Sequence, residues 1–168
     1  MFAQKLEKMK KVLIPTDFSV DSLQLVEYAV LNNPKSKLHI IFVAGFRLPD
    51  TRWGLTHFSQ SEEVHKQCTD DFITAKRSLM LEHKKSIETI SFELFTGENS
   101  FAFQNFLKQL NAADTIIPKE KSLYSRNKKW FDTTEFLRKN VRNVTEVPVG
   151  RAVEIPQLKF SLINLFNL

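Results

Sequence analysis

The sequence predicts an α/β fold with a doubly wound parallel sheet and helices on both of its faces. Short apolar runs alternate with helical patterns along the chain, which is the order typical of this fold class. The first two runs, Val12–Ile14 and Leu38–Phe46, are almost continuously apolar, as strands buried on both faces are. The helical stretch between them completes a βαβ unit, whose crossover is expected to be right-handed.

Length and composition limit the class of protein. The 168 residues suit one domain with a real core, and 42% apolar and 26% charged residues are ordinary values for a soluble chain. A single cysteine, Cys68, excludes an intrachain disulfide. We expect a cytoplasmic protein, with which a single cysteine is compatible. No membrane partner is expected. The net charge of +5 is spread along the chain, so nucleic acid is not the expected partner.

The turn after the first strand is the first candidate site. Pro15 ends the apolar run because it has no N–H for a strand ladder. Asp17 then lies at the carboxyl end of the strand, where open α/β sheets bind ligands. Capping of the following turn or helix is the alternative role for this aspartate.

The segment Ile14-Pro15-Thr16-Asp17-Phe18-Ser19 resembles the opening of universal stress proteins, Val-Pro-x-Asp-x-Ser followed by a helix. In nucleotide-binding members the aspartate contacts the adenosine part of ATP. The resemblance implies an ATP site whose candidate residues at this end of the sheet are Asp17, Pro15, Thr16 and Val43. It also implies, over Lys10 to Ala152, five parallel strands in the order 3-2-1-4-5.

The remaining elements follow from periodicity and punctuation. Apolar residues at spacings of three and four predict four helices, at Ser19–Asn33, Gln60 to about Ile87, a short one capped by Asn99 or Ser100, and Trp130–Arg142. After the first two strands, apolar or alternating runs predict three more, at Ile90–Phe95, Ala113–Pro118, and Val144–Val149 extended by Val153. Alternation in the third strand and Pro148 in the last one favour edge positions for both.

Two stretches are predicted to be loops. Arg47–Ser59 carries Pro49, Gly54 and the aromatic Trp53, and is expected to be a functional loop or a lid of packed aromatics. Lys119–Lys129 is polar and basic.

The resemblance implies a second motif after the fourth strand, Gly-x2-Gly-x9-Gly-Ser/Thr, whose glycines let backbone N–H groups approach phosphates. The three glycine positions fall on Lys119, Ser122 and near Asp132, followed by Thr133, and no glycine occurs between Gly97 and Gly150. Either the site is degenerate and binds no ATP, or phosphate is bound by side chains of Lys119, Ser122, Thr133 and the basic loop residues Lys121, Arg126, Lys128 and Lys129.

No catalytic set is visible, and we expect the protein not to be an enzyme. His65 and Cys68 are three residues apart, but a metal site needs three or four ligands. A surface histidine and a core cysteine are the preferred interpretation, so no metal is expected.

The chain is divided into an extension at 1–9, an α/β domain at 10–153 and an apolar tail at 154–168. The tail is expected to dock on the domain or on a partner subunit, because exposed apolar segments promote aggregation.

The first hypothesis is a non-enzymatic, universal-stress-protein-like regulator with a degenerate ATP site. It would form a homodimer through Val144–Val153, as the resemblance implies, with the tail as a further contributor, and bind an unknown protein partner. Nucleotide binding through Asp17 and the basic loop is the alternative, and polyanion binding by that loop is the third.

Overall fold

A computed structural model describes residues 9–124 and 127–150. Its strands are β1 (Met9–Pro15), β2 (Lys37–Phe46), β3 (Ile87–Phe95), β4 (Asp114–Pro118), β5 (Trp130–Phe131) and β6 (Asn143–Val147). Its helices are a 3-10 turn (Asp21–Leu23), α1 (Gln24–Asn32), α2 (Arg52–Thr56), α3 (Gln60–Gln67), α4 (Asp70–Glu82), α5 (Ser100–Leu110) and α6 (Thr134–Asn140).

Five parallel strands form the sheet in the order β3-β2-β1-β4-β6. This confirms the predicted doubly wound sheet and the edge positions of its third and last parallel strands. A sixth strand was not predicted: the two-residue β5 pairs antiparallel with the carboxyl end of β2, Phe131 opposite Gly45 and Trp130 opposite Phe46.

Alternate residues of the central strands enter two separate apolar layers. Val12 and Ile14 of β1 belong to the layer under α1, α3 and α4, whereas Leu13 belongs to the layer under α5 and α6. All three are at most 1% exposed. Burial on both faces explains why these strands are apolar without interruption. The first layer is rich in phenylalanine, with Phe42 and Phe72 fully buried.

The single helix predicted from Gln60 to about Ile87 is two helices. α3 ends at Gln67, and Thr69 is extended, with its side chain accepting a hydrogen bond from the N–H of Phe72 at the start of α4. The Thr-Asp-Asp sequence is an N-capping signal. The apolar spacing continues across the break, because Val64, Phe72 and Leu79 are all buried in the same apolar layer. Periodicity alone therefore predicts one helix.

Two further boundaries differ from the prediction. The predicted loop Arg47–Ser59 contains α2, which Thr51 caps through a hydrogen bond from the N–H of Gly54. The helix predicted at Trp130–Arg142 begins only at Thr134, where the carboxylate of Asp132 accepts hydrogen bonds from the Thr134 N–H and hydroxyl. Trp130 and Phe131, the two residues before Asp132, form β5 instead.

The ends of the predicted domain are described only in part. The first regular turn begins at Asp21 rather than Ser19, and β6 ends at Val147 rather than Val149. Val153, the extension before Met9 and the apolar tail lie outside the described residues. Among the described helices, none is long and apolar enough to cross a membrane.

Candidate functional site at the carboxyl edge of the sheet

The turn after β1 is held by its own polar side chains. Phe18 has a φ of 61°, in the left-handed region that side chains rarely adopt. Its N–H donates to the Thr16 hydroxyl, and Asp17 Oδ1 accepts from both the N–H and the hydroxyl of Ser19. Burial of the Phe18 ring against Phe72, Phe92 and Trp130 compensates for the strained backbone.

The second oxygen of Asp17 reaches across the edge of the sheet. Its Oδ2 accepts a hydrogen bond of 3.2 Å from the backbone N–H of Tyr124, 107 residues further along the chain. Both carboxylate oxygens therefore have protein donors. Asp17 therefore acts as a turn residue, the role given above as the alternative to ligand binding. It also ties the loop after β4 to the turn after β1.

Four of the sequence-predicted site residues meet at one carbonyl group. Pro15 lies opposite Val43 in the β1–β2 register. The Val43 carbonyl accepts hydrogen bonds of 3.1 Å from the Thr16 N–H and from the Thr133 hydroxyl. Thr133 is 1% exposed. The structure brings these residues together, and their polar groups bind one another.

Lys119 and Ser122 occupy different environments. The Lys119 N–H extends the β4–β6 ladder to the Val147 carbonyl, and the residue is exposed. The Ser122 hydroxyl oxygen is buried and has no hydrogen-bond partner among the described residues. Ser122 leads into Leu123, which is only 3% exposed. The loop thus turns an apolar side chain inward where the glycine-rich motif would present backbone N–H groups.

β5 closes the other side of the same region. The Trp130 ring packs 4.8 Å from that of Phe46 and 5.1 Å from that of Phe18, centroid to centroid. The Arg47 N–H donates to the Lys129 carbonyl at 2.7 Å, and its guanidinium donates to the Lys128 carbonyl. The same guanidinium lies 5.1 Å above the Phe131 ring.

A small cavity remains between these elements, with a volume of about 20 Å³. Its lining comprises Thr16, Asp17, Phe18, Ala44, Gln67, Leu123, Tyr124, Trp130, Phe131 and Asp132. Such a volume holds about one water molecule.

Sequence reasoning missed the side chains that occupy the region. Leu123, Tyr124 and Trp130 line the cavity, yet the first two were treated as part of a basic loop and the third as helical. One signal was available: Leu123 is an aliphatic residue in the otherwise polar run from Lys119 to Lys129.

Among the described residues, no three histidine, cysteine, aspartate or glutamate side chains lie so that they could hold a metal ion together. His65 is exposed, while Cys68 is partly buried beside the apolar layer under α1, α3 and α4. Burial raises the pKa of the Cys68 thiol, which lowers the fraction of reactive thiolate.

Solved structures of known proteins are similar to this chain, although no sequence comparison matches it. No protein-family model and no curated protein sequence match the chain. Solved structures similar to it include universal stress protein UspA from Lactobacillus plantarum, at 15% identity, covering 85% of this chain and 99% of that one, with a TM-score of 0.48. A universal stress protein in complex with cAMP has 12% identity, covers 84% and 98%, and has a TM-score of 0.46. A universal stress protein family structure from Burkholderia pseudomallei has 12% identity, covers 83% and 96%, and has a TM-score of 0.45.

The class of protein is defined by the sheet itself. A doubly wound parallel sheet in the order β3-β2-β1-β4-β6, with its turn residues gathered at the carboxyl edge, is a Rossmann-like α/β fold. The strand order is the one that the resemblance to universal stress proteins implied. At 12–15% identity, the likeness to those structures concerns the fold alone.

Proposed function

We propose that this chain is a universal-stress-protein-like regulatory domain that binds no nucleotide and acts through protein contacts in stress response. The observation that carries the proposal is the Asp17–Tyr124 hydrogen bond, which holds the loop after β4 against the turn after β1. With Leu123 buried beside it, about 20 Å³ is left where a nucleotide would be expected. The proposal places the protein in the cytoplasm, where Cys68 stays reduced.

Ligand binding is tested by thermal unfolding of the full chain with and without millimolar Mg-ATP. A ligand that binds only the folded state raises the unfolding midpoint, so the proposal expects no shift. The same measurement is made with cAMP, the ligand of one of the similar structures.

The two alternatives predict different results. A shift that is lost in Asp17→Ala and kept in Asp21→Ala would overturn the proposal in favour of a nucleotide-binding protein. A shift that instead falls steeply with added salt would favour polyanion binding by the basic loop.

The dimer in this proposal uses the outer edge of β6, with the apolar tail as a further contributor. The Asn143 N–H and the Val147 carbonyl face β4, bonded to Ala113 and Lys119. In a parallel strand the intervening Val144 and Glu146 therefore direct their backbone groups outward, where a second copy could pair with them.

The dimer is tested by sedimentation velocity of the full chain. Glu146→Pro removes an outward N–H and is therefore expected to give a monomer. The monomer should still fold, because proline is tolerated on edge strands. Glu146→Gln keeps that N–H and is expected to remain a dimer. A monomeric wild type, or a dimeric and folded proline variant, would contradict this part of the proposal.

A further inference from the structure

The segment 47–57, here called the α2 segment, follows β2 at the carboxyl edge of the sheet. α2 contains no buried residue. Trp53 is 75% exposed, Leu55 is 49% exposed and Leu48 is 38% exposed. The segment therefore presents three large apolar side chains to the surroundings, which is unfavourable in water without a partner surface.

Local contacts hold the segment in shape. Thr51 caps α2 at the N–H of Gly54, and the His57 N–H donates to the Trp53 carbonyl at 3.1 Å. The Trp53 and His57 rings stack with centroids 3.8 Å apart. A Cβ on Gly54 would lie 2.6 Å from the Pro49 side chain, so the backbone is closely packed there. The exposed apolar side chains are thus displayed on an ordered element.

Basic residues lie within and next to the α2 segment. Arg47 and Arg52 belong to the segment, and Arg47 is bonded to the backbone of Lys128 and Lys129, which brings these two lysines next to the start of the segment. All four are exposed, and within the described part of the chain none of them lies within 4.0 Å of a carboxylate. Asp50 is the opposing charge within the α2 segment.

We propose that the α2 segment docks on an anionic lipid surface. Exposed tryptophan and leucine side chains suit the boundary between headgroups and acyl chains, where the indole ring is favoured. The surrounding arginines and lysines are then placed at the lipid phosphates, whose negative surface potential attracts them. The sequence-based expectation of no membrane partner could not include this surface, because it depends on which side chains are exposed. The inference does not depend on the state of the nucleotide region.

The test is sedimentation of the full-length protein with phosphatidylcholine vesicles, with and without phosphatidylglycerol. Binding is expected only to the anionic vesicles and is expected to weaken with added salt. Trp53 is itself a probe, because its emission should shift to the blue as the indole leaves water, while Trp130 is already buried at 6% exposure.

Matched variants separate this surface from non-specific adsorption. Trp53→Ala is expected to weaken binding roughly tenfold or more, from the loss of one large apolar side chain. Leu81→Ala, at a side chain 68% exposed on the last turn of α4, is expected to leave binding unchanged. Lys128→Glu with Lys129→Glu should weaken binding on the order of tenfold, whereas Lys84→Glu with Lys85→Glu, in the turn before β3, should weaken it much less.

Two results would overturn the proposal. One is failure of the wild-type protein to bind anionic vesicles, which would leave the α2 segment as a protein-binding surface. The other is binding that survives Trp53→Ala, which would assign the adsorption to the net charge of the chain.

Discussion

Gly45 lies directly against the ring of Phe131. A Cβ on residue 45 would lie 2.6 Å from Phe131 Cζ and closer still to two other ring carbons. No side chain larger than hydrogen fits between β2 and β5 at this point, so the pairing of these strands depends on a glycine.

Gly45→Ala should therefore destabilise the protein by about 1–3 kcal/mol, the usual cost of overpacking. The measurement is the free energy of unfolding in urea. Phe131→Ala in the same chain removes the clash, so the cost of Gly45→Ala should largely disappear in that background. Equal costs of Gly45→Ala in both backgrounds would contradict the contact.

Removal of the Asp17 carboxylate should release the loop after β4. Asp17→Ala removes the acceptor of the exposed Tyr124 N–H and of the Ser19 N–H and hydroxyl and should cost about 1 kcal/mol. Trypsin should then cleave faster after Lys121, Lys128 or Lys129. Asp21→Ala, in the same turn region but with no bond to this loop among the described contacts, should leave the cleavage rate unchanged.

Phe18 tests the left-handed turn. Phe18→Ala removes a ring packed against three aromatic neighbours and should cost about 3–5 kcal/mol. Phe18→Gly should be no less stable than Phe18→Ala, because glycine adopts a φ of 61° without steric cost. At helical Phe72 the order should reverse, with glycine about 1 kcal/mol below alanine. A glycine variant less stable than alanine at residue 18 would argue against the left-handed conformation.

His39 should make stability depend on pH. Burial, and then the charge of Lys11, lower the pKa of His39 below 6.5, with Glu93 opposing them. The unfolded chain therefore binds a proton more readily than the folded one, so the free energy of unfolding should fall as the pH falls below about 6.5. In His39→Gln this part of the decrease should be absent, as measured by urea unfolding between pH 5 and 8, a range in which histidine titrates. Equal pH dependence in the two proteins would contradict the assignment.

Much of the fold could be predicted from the chain alone. The unbroken apolar run at Val12–Ile14 indicated burial on both faces, and of the two candidate caps of α5, Asn99 and Ser100, the structure has Asn99. The capping signal at Thr69 and the Asp132 carboxylate, which bonds Thr134 at the start of α6, were overlooked in favour of longer apolar periodicities. Asp17 follows the carboxyl end of β1, as its position in the sequence predicted, but the carboxylate's second partner lies 107 residues away.

The sequence by itself determined the alternation of the main strands and helices, the central strands and the absence of glycine from the loop after β4, because these follow from local periodicity and residue type. Tertiary structure decided what surrounds Asp17, since Leu123, Trp130 and Phe131 reach it only when β4 and β2 lie in one sheet. It also decided that Trp53 is exposed while Trp130 is buried. Burial is a property of the packed chain, and two tryptophans in similarly polar surroundings do not differ in it until the sheet has formed.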